Sequence, residues 1–394
     1  MKRSYQVLLA SMLVTFVLGS VHAFSVFIVP LETLLLLPRS DISLIYSFAL
    51  VAITLSVLFG YLVYARLPAW LLVLLTCLVA ALGLVLAANA GNWWMLFFGY
   101  SLLFGGANGV GYGFTLQLAA REMPQNKGFA MGAVTAAYAV GSIVFASVLS
   151  AQIRSTSVAA AFMALAAGLV GCGLAAALLM YLVKANYGAS YGESTVVSGQ
   201  PAQPLDNRRV GLFWLAYLFS VFAGLMAIGH AAGIAISKGA DTQMSVWCAM
   251  IIGIGSAIGG FLAGWLVDRW PAPRFLIGLP LLSAVSLLML GFIVSLPVVL
   301  LLLALVGFSY GALIAIYPVS ISNEFGDLGP KAYGRVFTAW GFAGLVAPWS
   351  AGLIYDLQAD YRLALIVASV TAIFSAITVF FAGFEQSRVN GLSF

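Results

Sequence analysis

The chain has 394 residues, of which 63% are hydrophobic and only 7% are charged. A soluble domain usually has about 45–50% apolar and about 25% charged residues, so this composition excludes a water-soluble globular protein. The formal net charge is +5, but the basic residues stand one to three at a time between apolar runs. This pattern excludes a nucleic-acid-binding arm and indicates the ends of membrane spans.

Twelve apolar runs are long enough to cross a bilayer, because a hydrocarbon core of about 30 Å needs about 20 residues of helix. They lie near residues 6–29, 42–64, 70–89, 93–119, 129–152, 157–183, 211–236, 243–266, 274–295, 297–322, 333–355 and 362–384. The sequence therefore predicts an all-α integral membrane protein with twelve transmembrane helices.

The orientation follows from the connections between these spans. Only four of the 17 Lys and Arg residues lie on one side of the predicted membrane: Arg39, Arg154, Lys238 and Arg362. The other thirteen share the side of both chain ends, which predicts cytoplasmic termini and a multi-pass protein of the plasma (inner) membrane. Lys2 and Arg3 followed by an apolar run also resemble a secretory signal, but the run continues to Val29 and fits a first span.

A polar stretch rich in Gly, Ser, Gln and Pro separates the sixth span from the seventh. It predicts a cytoplasmic linker at residues 184–209, between an N-terminal six-helix half at 1–183 and a C-terminal six-helix half at 210–394. Short sequence matches relate the two halves and indicate a duplication with pseudo-symmetric halves. They recur at offsets of 204, 206 and 208 residues: Gly60 with Gly264, Gly128 with Gly334, and His22 with His230.

The two histidines of the chain both lie inside predicted spans, His22 in the first and His230 in the seventh. An ionisable residue within a span is a functional candidate by default. If the first helix of each half lines a central cavity, both imidazoles face that cavity, where a protonated imidazole can bind an anion and couple its transport to a proton. The alternative is that each imidazole is neutral and hydrogen-bonded to a neighbouring helix.

Polar and aromatic residues recur at helical spacing in several other spans. We predict that they line the cavity and donate hydrogen bonds to a substrate; the candidates are Thr15, Asn108, Tyr112, Tyr138, Tyr310 and Tyr317. The alternative is that these side chains pack membrane helices against one another.

Sulfur-containing residues support a different substrate. Met226 and His230 lie one turn apart, as do Met244 and Cys248, and such ligands suit Cu(I). A soft-metal (copper) transporter is therefore an alternative, as is a transporter of neutral polar or weak-acid solutes. The sequence has no P-loop, GxSxG or HExxH motif, so we expect neither an enzyme nor a cofactor.

The segment Gly264-Trp265-Leu266-Val267-Asp268-Arg269, followed by Arg274, resembles a loop that the major facilitator superfamily carries between the second and third helices of a half. The resemblance covers essentially the whole chain and implies the major facilitator fold and transport by alternating access. It also implies a gating role for Asp268, Arg269 and Arg274, in which Asp268 pairs with a helix N-terminus or a basic group. In the first half, Tyr64 stands where the Asp would be.

Within that superfamily, the chain is similar to the oxalate/formate antiporter and monocarboxylate transporter group. The residues that carry this similarity are Ala23–Phe27, Pro30, Gly105–Tyr112, Lys127–Gly132, Tyr333–Gly334 and Thr338–Gly341. It implies a symporter or antiporter of small organic anions. We expect a monomer in the lipid bilayer whose partners are a small-molecule substrate and protons.

One departure from that group narrows the substrate class. Its dicarboxylate transporters carry Lys or Arg within the eighth and eleventh spans, whereas these spans have no cation here and Trp340 stands near the expected lysine. Desolvating two negative charges without a fixed cation costs several kcal/mol. The sequence therefore favours a monocarboxylate, with Trp340 in the substrate cavity.

Overall fold

The computed structural model describes residues 2–37, 39–187, 205–358 and 360–383. Residues 188–204 of the predicted linker, Arg388 and the end of the last predicted span lie outside the described residues. Throughout the described ranges every regular element is a helix, as the composition predicts.

Twelve helical spans follow one another along the described chain, and the predicted all-α membrane architecture is confirmed. The first six spans begin with α1 (Arg3–Leu18), a 3₁₀ segment (Gly19–Phe27) and α2 (Ile28–Leu35), which together form one span. The next five are α3 (Arg39–Tyr64), α4 (Ala69–Ala88), α5 (Trp93–Leu96) with a π segment (Phe97–Phe104) and α6 (Gly105–Glu122), α7 (Lys127–Ser155) and α8 (Val158–Leu182). The remaining six are α9 (Asn207–Ser237), α10 (Thr242–Val267), α11 (Ala272–Phe292), α12 (Leu296–Phe325), α13 (Gly329–Gln358) and α14 (Arg362–Ala382).

Ten helical stretches of the described chain are long and apolar enough to cross a membrane, and one of them, Leu296–Tyr355, runs through both α12 and α13. The fourth span is not among the ten, because α6 is rich in glycine and ends in Arg121 and Glu122. Apolar length therefore identifies most of the spans, while the fourth is less apolar than the others.

The contacts divide the chain into two compact units. The first comprises the described residues of Met1–Pro124 and Ala133–Gln203, and the second those of Gln125–Gly132 and Pro204–Phe394. The start of α7 thus packs with the second unit, although the linker-based division had assigned it to the first half.

An arginine at the start of the first unit ties three helices together. Arg3, the first residue of α1, places Nη2 3.0 Å from Oε1 of Glu122 at the end of α6. The same nitrogen donates to the carbonyl of Lys184, just beyond α8, at 3.3 Å. The guanidinium therefore meets a carboxylate and the carbonyl end of a helix, both of which attract a cation.

The second unit has the same arrangement of an arginine, a glutamate and a carbonyl at a helix end. We call each of these two arrangements a clasp. Arg209, near the start of α9, places Nε 3.2 Å from Oε1 of Glu324 near the end of α12. Its Nη1 donates to the carbonyl of Ala382, the last residue of α14, at 3.1 Å. The arginines of the two clasps are 206 residues apart and the glutamates are 202 apart, so the first, fourth and sixth spans of each unit meet in the same way.

The chain turns back sharply after α8. Lys184 adopts a left-handed conformation with φ 53°. Its N–H donates to the carbonyl of Tyr181 at 3.0 Å, and the N–H of Ala185 donates to the carbonyl of Met180 at 2.9 Å. These two bonds form a Schellman motif, with lysine at the position where glycine is usual.

This turn brings Tyr187 onto the first unit, where only 3% of its surface stays exposed. Its ring lies 5.7 Å from the rings of both Tyr64 and Phe114. The Arg121 guanidinium lies 3.8 Å from the centre of the Tyr187 ring, and its Nη1 donates to the Tyr187 carbonyl at 3.1 Å. The first four residues of the predicted linker are thus docked on the first unit.

Candidate functional site

His22 lies in the 3₁₀ segment, where the first span departs from the regular helix that the sequence predicts. The half-buried imidazole places Nδ1 2.6 Å from the hydroxyl of Tyr46 on α3. Its ring also meets the Tyr138 ring of α7 edge-on, with centroids 5.5 Å apart. The structure therefore holds this imidazole between two phenols.

Two local contacts accompany the change of helix type. Gly19 packs against α7 so closely that a Cβ at this position would overlap the carbonyl oxygen of Tyr138. Asn108 on α6 donates from Nδ2 to the carbonyl of Leu18 at 2.6 Å. A neighbouring side chain thus shares the carbonyl at which the α-helix ends, and the chain continues as the tighter 3₁₀ helix.

Asn108 also connects the histidine to the rest of the predicted site. Its fully buried amide accepts a hydrogen bond from the Tyr138 hydroxyl at 3.0 Å. The ring of Tyr112 packs on the ring of Tyr138, with centroids 5.0 Å apart. The first unit therefore brings three other sequence-predicted residues together in one network with His22.

The second unit has a polar pair at the equivalent place. Trp340 on α13 donates from Nε1 to the hydroxyl of Tyr310 on α12 at 2.8 Å. The Tyr310 ring lies against α9, where a Cβ on Gly224 would approach it to 2.5 Å. As with Asn108 and Tyr138, the two partners are 30 residues apart and join the fourth span of their unit to the fifth.

Two residues predicted to line the cavity are packing residues in this structure. The Thr15 side chain is fully buried, and its hydroxyl donates to the carbonyl of Ser11 at 3.0 Å and contacts that of Val134 on α7 at 3.2 Å. Tyr317 is also fully buried, with its ring 4.5 Å from that of Tyr217. The hydroxyl of Thr15 and the ring of Tyr317 each contact a second helix of the same unit, which is the alternative that polar stripes leave open.

His230 connects α9 to the eleventh and twelfth spans. Its Nε2 lies 2.8 Å from the carbonyl of Pro348 on α13, and its Nδ1 lies 3.2 Å from the hydroxyl of Tyr361, the residue before α14. Since a carbonyl can only accept, Nε2 carries the hydrogen, and in the neutral imidazole Nδ1 accepts from the phenol. Both ring nitrogens therefore have protein partners.

The two histidines are not equivalent, which corrects the expectation drawn from their spacing. The clasp arginines set an offset of 206 residues between the first helices, so that Phe24 is the counterpart of His230. Two residues of displacement rotate a side chain by about 200° around an α-helix and by about 240° around the 3₁₀ helix that contains His22. His22 accordingly contacts the second and fifth spans of its unit, whereas His230 contacts the eleventh and twelfth.

The residues of the alternative copper site all lie in the second unit. Met226 and Cys248 are buried in the second unit, and Met244 is half-buried. The Nε2 of His230 is occupied by a carbonyl. Among the described residues, no group of three or more His, Cys, Asp or Glu could hold a metal ion.

Asp268, just beyond α10, caps the start of α7. Its Oδ1 accepts from the N–H of Gly128 and its Oδ2 from the N–H of Phe129, each at 2.7 Å. Burial raises the pKa of this carboxyl, while the two N–H donors and the charge of Arg269 act in the opposite direction. The sequence suggests a helix N-terminus or a basic group as the partner of Asp268, and the structure shows a helix N-terminus.

The other two gating candidates lie at the surface. Arg269 is exposed and lies over the ring of Trp265, 3.9 Å from its centre, while its Nη1 donates to the Trp265 carbonyl at 3.0 Å. Arg274 is exposed in the first turn of α11. In the described contacts neither arginine bonds to α7, although the charge of Arg269 acts on the Asp268 carboxyl.

Sequence reasoning missed Tyr46, Pro348 and Tyr361, the partners of the two histidines. None of them belongs to a motif or to a polar stripe, because a contact across helices leaves no periodic signal in one helix. The clasp glutamates Glu122 and Glu324 could have been found, since they recur at an offset close to those of the internal matches.

Comparisons with known proteins agree with this architecture. The family model of the Major Facilitator Superfamily matches residues 7–328 and 213–391. The chain is 25% identical over 347 residues to the uncharacterized MFS-type transporter YhjX of Escherichia coli (strain K12), covering 86% of this chain and 85% of YhjX. It is 26% identical over 309 residues to monocarboxylate transporter 13 of Rattus norvegicus, covering 74% of this chain and 68% of that protein.

Two solved structures share the fold at low sequence identity. The proton:xylose symporter XylE bound to 6-bromo-6-deoxy-D-glucose superposes with a TM-score of 0.74 at 14% identity, covering 96% of this chain and 95% of XylE. The Escherichia coli fucose:proton symporter FucP superposes with a TM-score of 0.64 at 17% identity, covering 97% of this chain and 99% of FucP. With a family model that matches nearly the whole sequence, the chain belongs to the major facilitator superfamily and is a multi-pass membrane transporter.

Proposed function

We propose that this transporter carries small monocarboxylates by secondary active transport coupled to protonation of His22. The observation that carries the proposal is the short hydrogen bond between the imidazole of His22 and the hydroxyl of Tyr46. An imidazole can gain a proton at physiological pH and then supply the positive charge that a carboxylate requires. The 26% identity to a protein named a monocarboxylate transporter supports the same substrate class.

The residues around His22 suit one carboxylate group. The amide of Asn108 has a second N–H besides the one that it donates to Leu18. The hydroxyls of Tyr112 and Tyr138 can donate to the carboxylate oxygens once Tyr138 exchanges its bond to Asn108 for the substrate. In the second unit, the Tyr310 and Trp340 rings offer an apolar surface with two polar tips. We propose that Asn108, Tyr112 and Tyr138 contact the substrate in the first unit, with His22 as its charge partner.

The contact between Asp268 and α7 suits a latch. Two N–H donors at a helix N-terminus hold a carboxylate well, because the helix dipole places partial positive charge there. We propose that this contact is closed when the adjacent end of the bundle is closed and breaks when that end opens. The excess of Lys and Arg on the same side supports a cytoplasmic position for the latch and for both termini. We further propose that the transporter lies in the inner membrane and works as a monomer.

Uptake by purified protein in liposomes tests the proposed substrate. We expect saturable uptake of monocarboxylates that increases with an inward proton gradient, and little uptake of dicarboxylates, xylose, fucose or Cu(I). Replacing His22 by Gln removes the charge partner, and since hydrogen bonds to charged groups contribute about 1.5–3 kcal/mol, uptake should fall roughly 10- to 100-fold.

The matched histidine provides the control. His230→Gln removes an imidazole of the same size from the second unit, and we expect its uptake to keep the pH dependence of the unmodified protein. Saturable uptake of a sugar without any monocarboxylate uptake would contradict the proposal, as would monocarboxylate uptake that is unaffected by His22→Gln.

A further inference from the structure

The π segment of the fourth span faces the 3₁₀ segment of the first. The hydroxyl of Tyr100, in the middle of the π segment, donates to the carbonyl of Val21 at 3.1 Å. Val21 directly precedes His22. Only 1% of the Tyr100 surface is exposed, so this hydrogen bond lies within the packed interior of the first unit.

The next residue of the π segment makes the corresponding contact with α3. The hydroxyl of Ser101 donates to the carbonyl of Ile45 at 2.6 Å, and its side chain is also buried. Ile45 directly precedes Tyr46. Two consecutive residues of one helix therefore hold the carbonyls that stand immediately before the two partners of the His22–Tyr46 hydrogen bond.

Aromatic packing also holds the Tyr46 ring in place. The ring of Phe24 stacks on that of Tyr46, with centroids 5.8 Å apart and an interplanar angle of 7°. Phe24 also lies 4.7 Å from the ring of Tyr100. The orientation of the Tyr46 phenol thus depends on a residue that itself rests on the π segment.

The 3₁₀ segment of the first span and the π segment of the fourth span meet beside the His22–Tyr46 pair. Runs of 3₁₀ helix longer than three or four residues are uncommon, and π-helical turns are rare and frequent at functional sites. Here a 3₁₀ segment of nine residues and a π segment of eight residues face each other across the histidine–phenol pair.

We propose that Tyr100 and Ser101 are positioning residues that set the geometry of the His22–Tyr46 hydrogen bond. The positioning role is inferred from these contacts alone, and its importance for transport rests on the proposed function. Among the described contacts, the titratable groups beside His22 are the phenols of Tyr46 on α3 and Tyr138 on α7. Tyr100 faces it from across the Val21 carbonyl, and α8 contributes the apolar ring of Phe162, stacked on Phe27.

Nuclear magnetic resonance of the histidine side chains tests this proposal without relying on transport. The chain has two histidines, so histidine-labelled protein gives two imidazole signals, and His230→Gln assigns them. In Tyr100→Phe and in Ser101→Ala, we expect the His22 signal to change its chemical shifts and its titration midpoint. A hydrogen bond of ordinary strength changes such an equilibrium about three- to tenfold, which is roughly 0.5–1 pH unit.

Two controls separate positioning from ordinary packing. The His230 signal of the same sample should stay unchanged. Ser369→Ala removes another buried serine hydroxyl that donates to a neighbouring helix, at 2.8 Å from the carbonyl of Ala284, and it should lower thermal stability without moving the His22 signal. In a Tyr46→Phe background, the Ser101→Ala change should add no further shift, because the bond that it positions is already absent.

The outcomes distinguish this proposal from the proposed function. An unchanged His22 signal in both variants, or an equal change in Ser369→Ala, would overturn the positioning role even if pH-dependent monocarboxylate uptake were found. A shifted His22 signal in protein that transports no monocarboxylate would support the positioning role and overturn the substrate.

Discussion

His230 and His22 differ in what their imidazoles bind. His230 joins three helices through a main-chain carbonyl and a phenol, whereas His22 lies against two phenols in an irregular stretch of helix. An imidazole that satisfies a buried carbonyl acts as a structural link, since its removal leaves a polar group without a partner.

We therefore predict that His230→Ala destabilises the protein by about 1–3 kcal/mol, the penalty for leaving the Pro348 carbonyl and the Tyr361 hydroxyl without their partner. Thermal unfolding of the purified protein measures the loss. Ser286→Ala serves as the control, because that hydroxyl donates to the carbonyl of Leu282 in its own helix, and its removal should change stability much less. Equal stability of His230→Ala and the unmodified protein would refute the structural role.

For single residues, the sequence predicts which side chains share a helix face but not which residues lie opposite that face. Thr15 and Asn108 both fell on predicted polar stripes. The structure places the hydroxyl of Thr15 in a contact between helices and the amide of Asn108 between the Leu18 carbonyl and the hydroxyl of Tyr138, whose ring meets His22. Periodicity in one helix contains no information about the neighbouring helix, so the roles of the two residues could not be separated.

Among the helices, the largest departures from the sequence prediction are in the first and fourth spans. The sequence predicts one regular helix in each, because apolar length reports the thickness of the bilayer and not the type of helix. The 3₁₀ and π segments coincide with contacts between spans, such as Asn108 on Leu18 and Tyr100 on Val21. Such segments become predictable only when the neighbouring helix is known.

The helix cap at α7 leads to a prediction for Asp268. Asp268→Ala removes the acceptor of two N–H groups and should cost about 1–2 kcal/mol of unfolding free energy, as for other lost caps. Asp268→Asn keeps one acceptor and should cost less. Asp241→Ala is the matched control, because Asp241 caps its own helix at the N–H of Met244, and it should not alter the packing of α7. If Asp268→Ala costs no more than Asp268→Asn, the cap does not stabilise the helix.

We also predict that the stability contributed by Asp268 depends on pH. Burial raises the pKa of Asp268 in the folded protein, so the folded state binds a proton more readily than the unfolded chain does. The stability that Asp268 contributes is therefore greatest at acid pH, and it decreases as the pH rises from the unfolded pKa through the raised folded pKa. Unfolding of Asp268→Asn, measured across this acid range, should lack that decrease.

For the whole molecule, the two clasps are the clearest structural trace of the duplication. Double-mutant cycles with Arg3→Gln and Glu122→Gln, and with Arg209→Gln and Glu324→Gln, should each show a coupling of about 0.2–1 kcal/mol in unfolding free energy. The second clasp should be the stronger, because the Arg209 side chain is 27% exposed and that of Arg3 is 53% exposed.

Combinations across the clasps provide the control. Arg3→Gln with Glu324→Gln removes one member of each clasp, and the two effects should add because these residues share no partner in the described contacts. Coupling of equal size within and across the clasps would show that the arginines do not act through their own glutamates.

The overall architecture could be predicted from the sequence, because twelve apolar runs, a repeated offset and the segment from Gly264 to Arg269 all bear on the same fold. The division of α7 between the two units could not be predicted from the sequence. The residues from Gln125 to Gly132 pack with the second unit, and one reason is the Asp268 carboxylate, whose partner N–H groups are invisible in a sequence.

The docked position of Tyr187 has a consequence for where the polypeptide can be interrupted. The residues from Lys184 to Tyr187 form the closing cap of the first unit, held by Arg3 and Arg121, although their composition is that of a connector. A break after Tyr187 leaves this cap with its own six helices, whereas a break after Leu182 removes it. If the two halves are produced as separate polypeptides, the first should therefore extend to Tyr187.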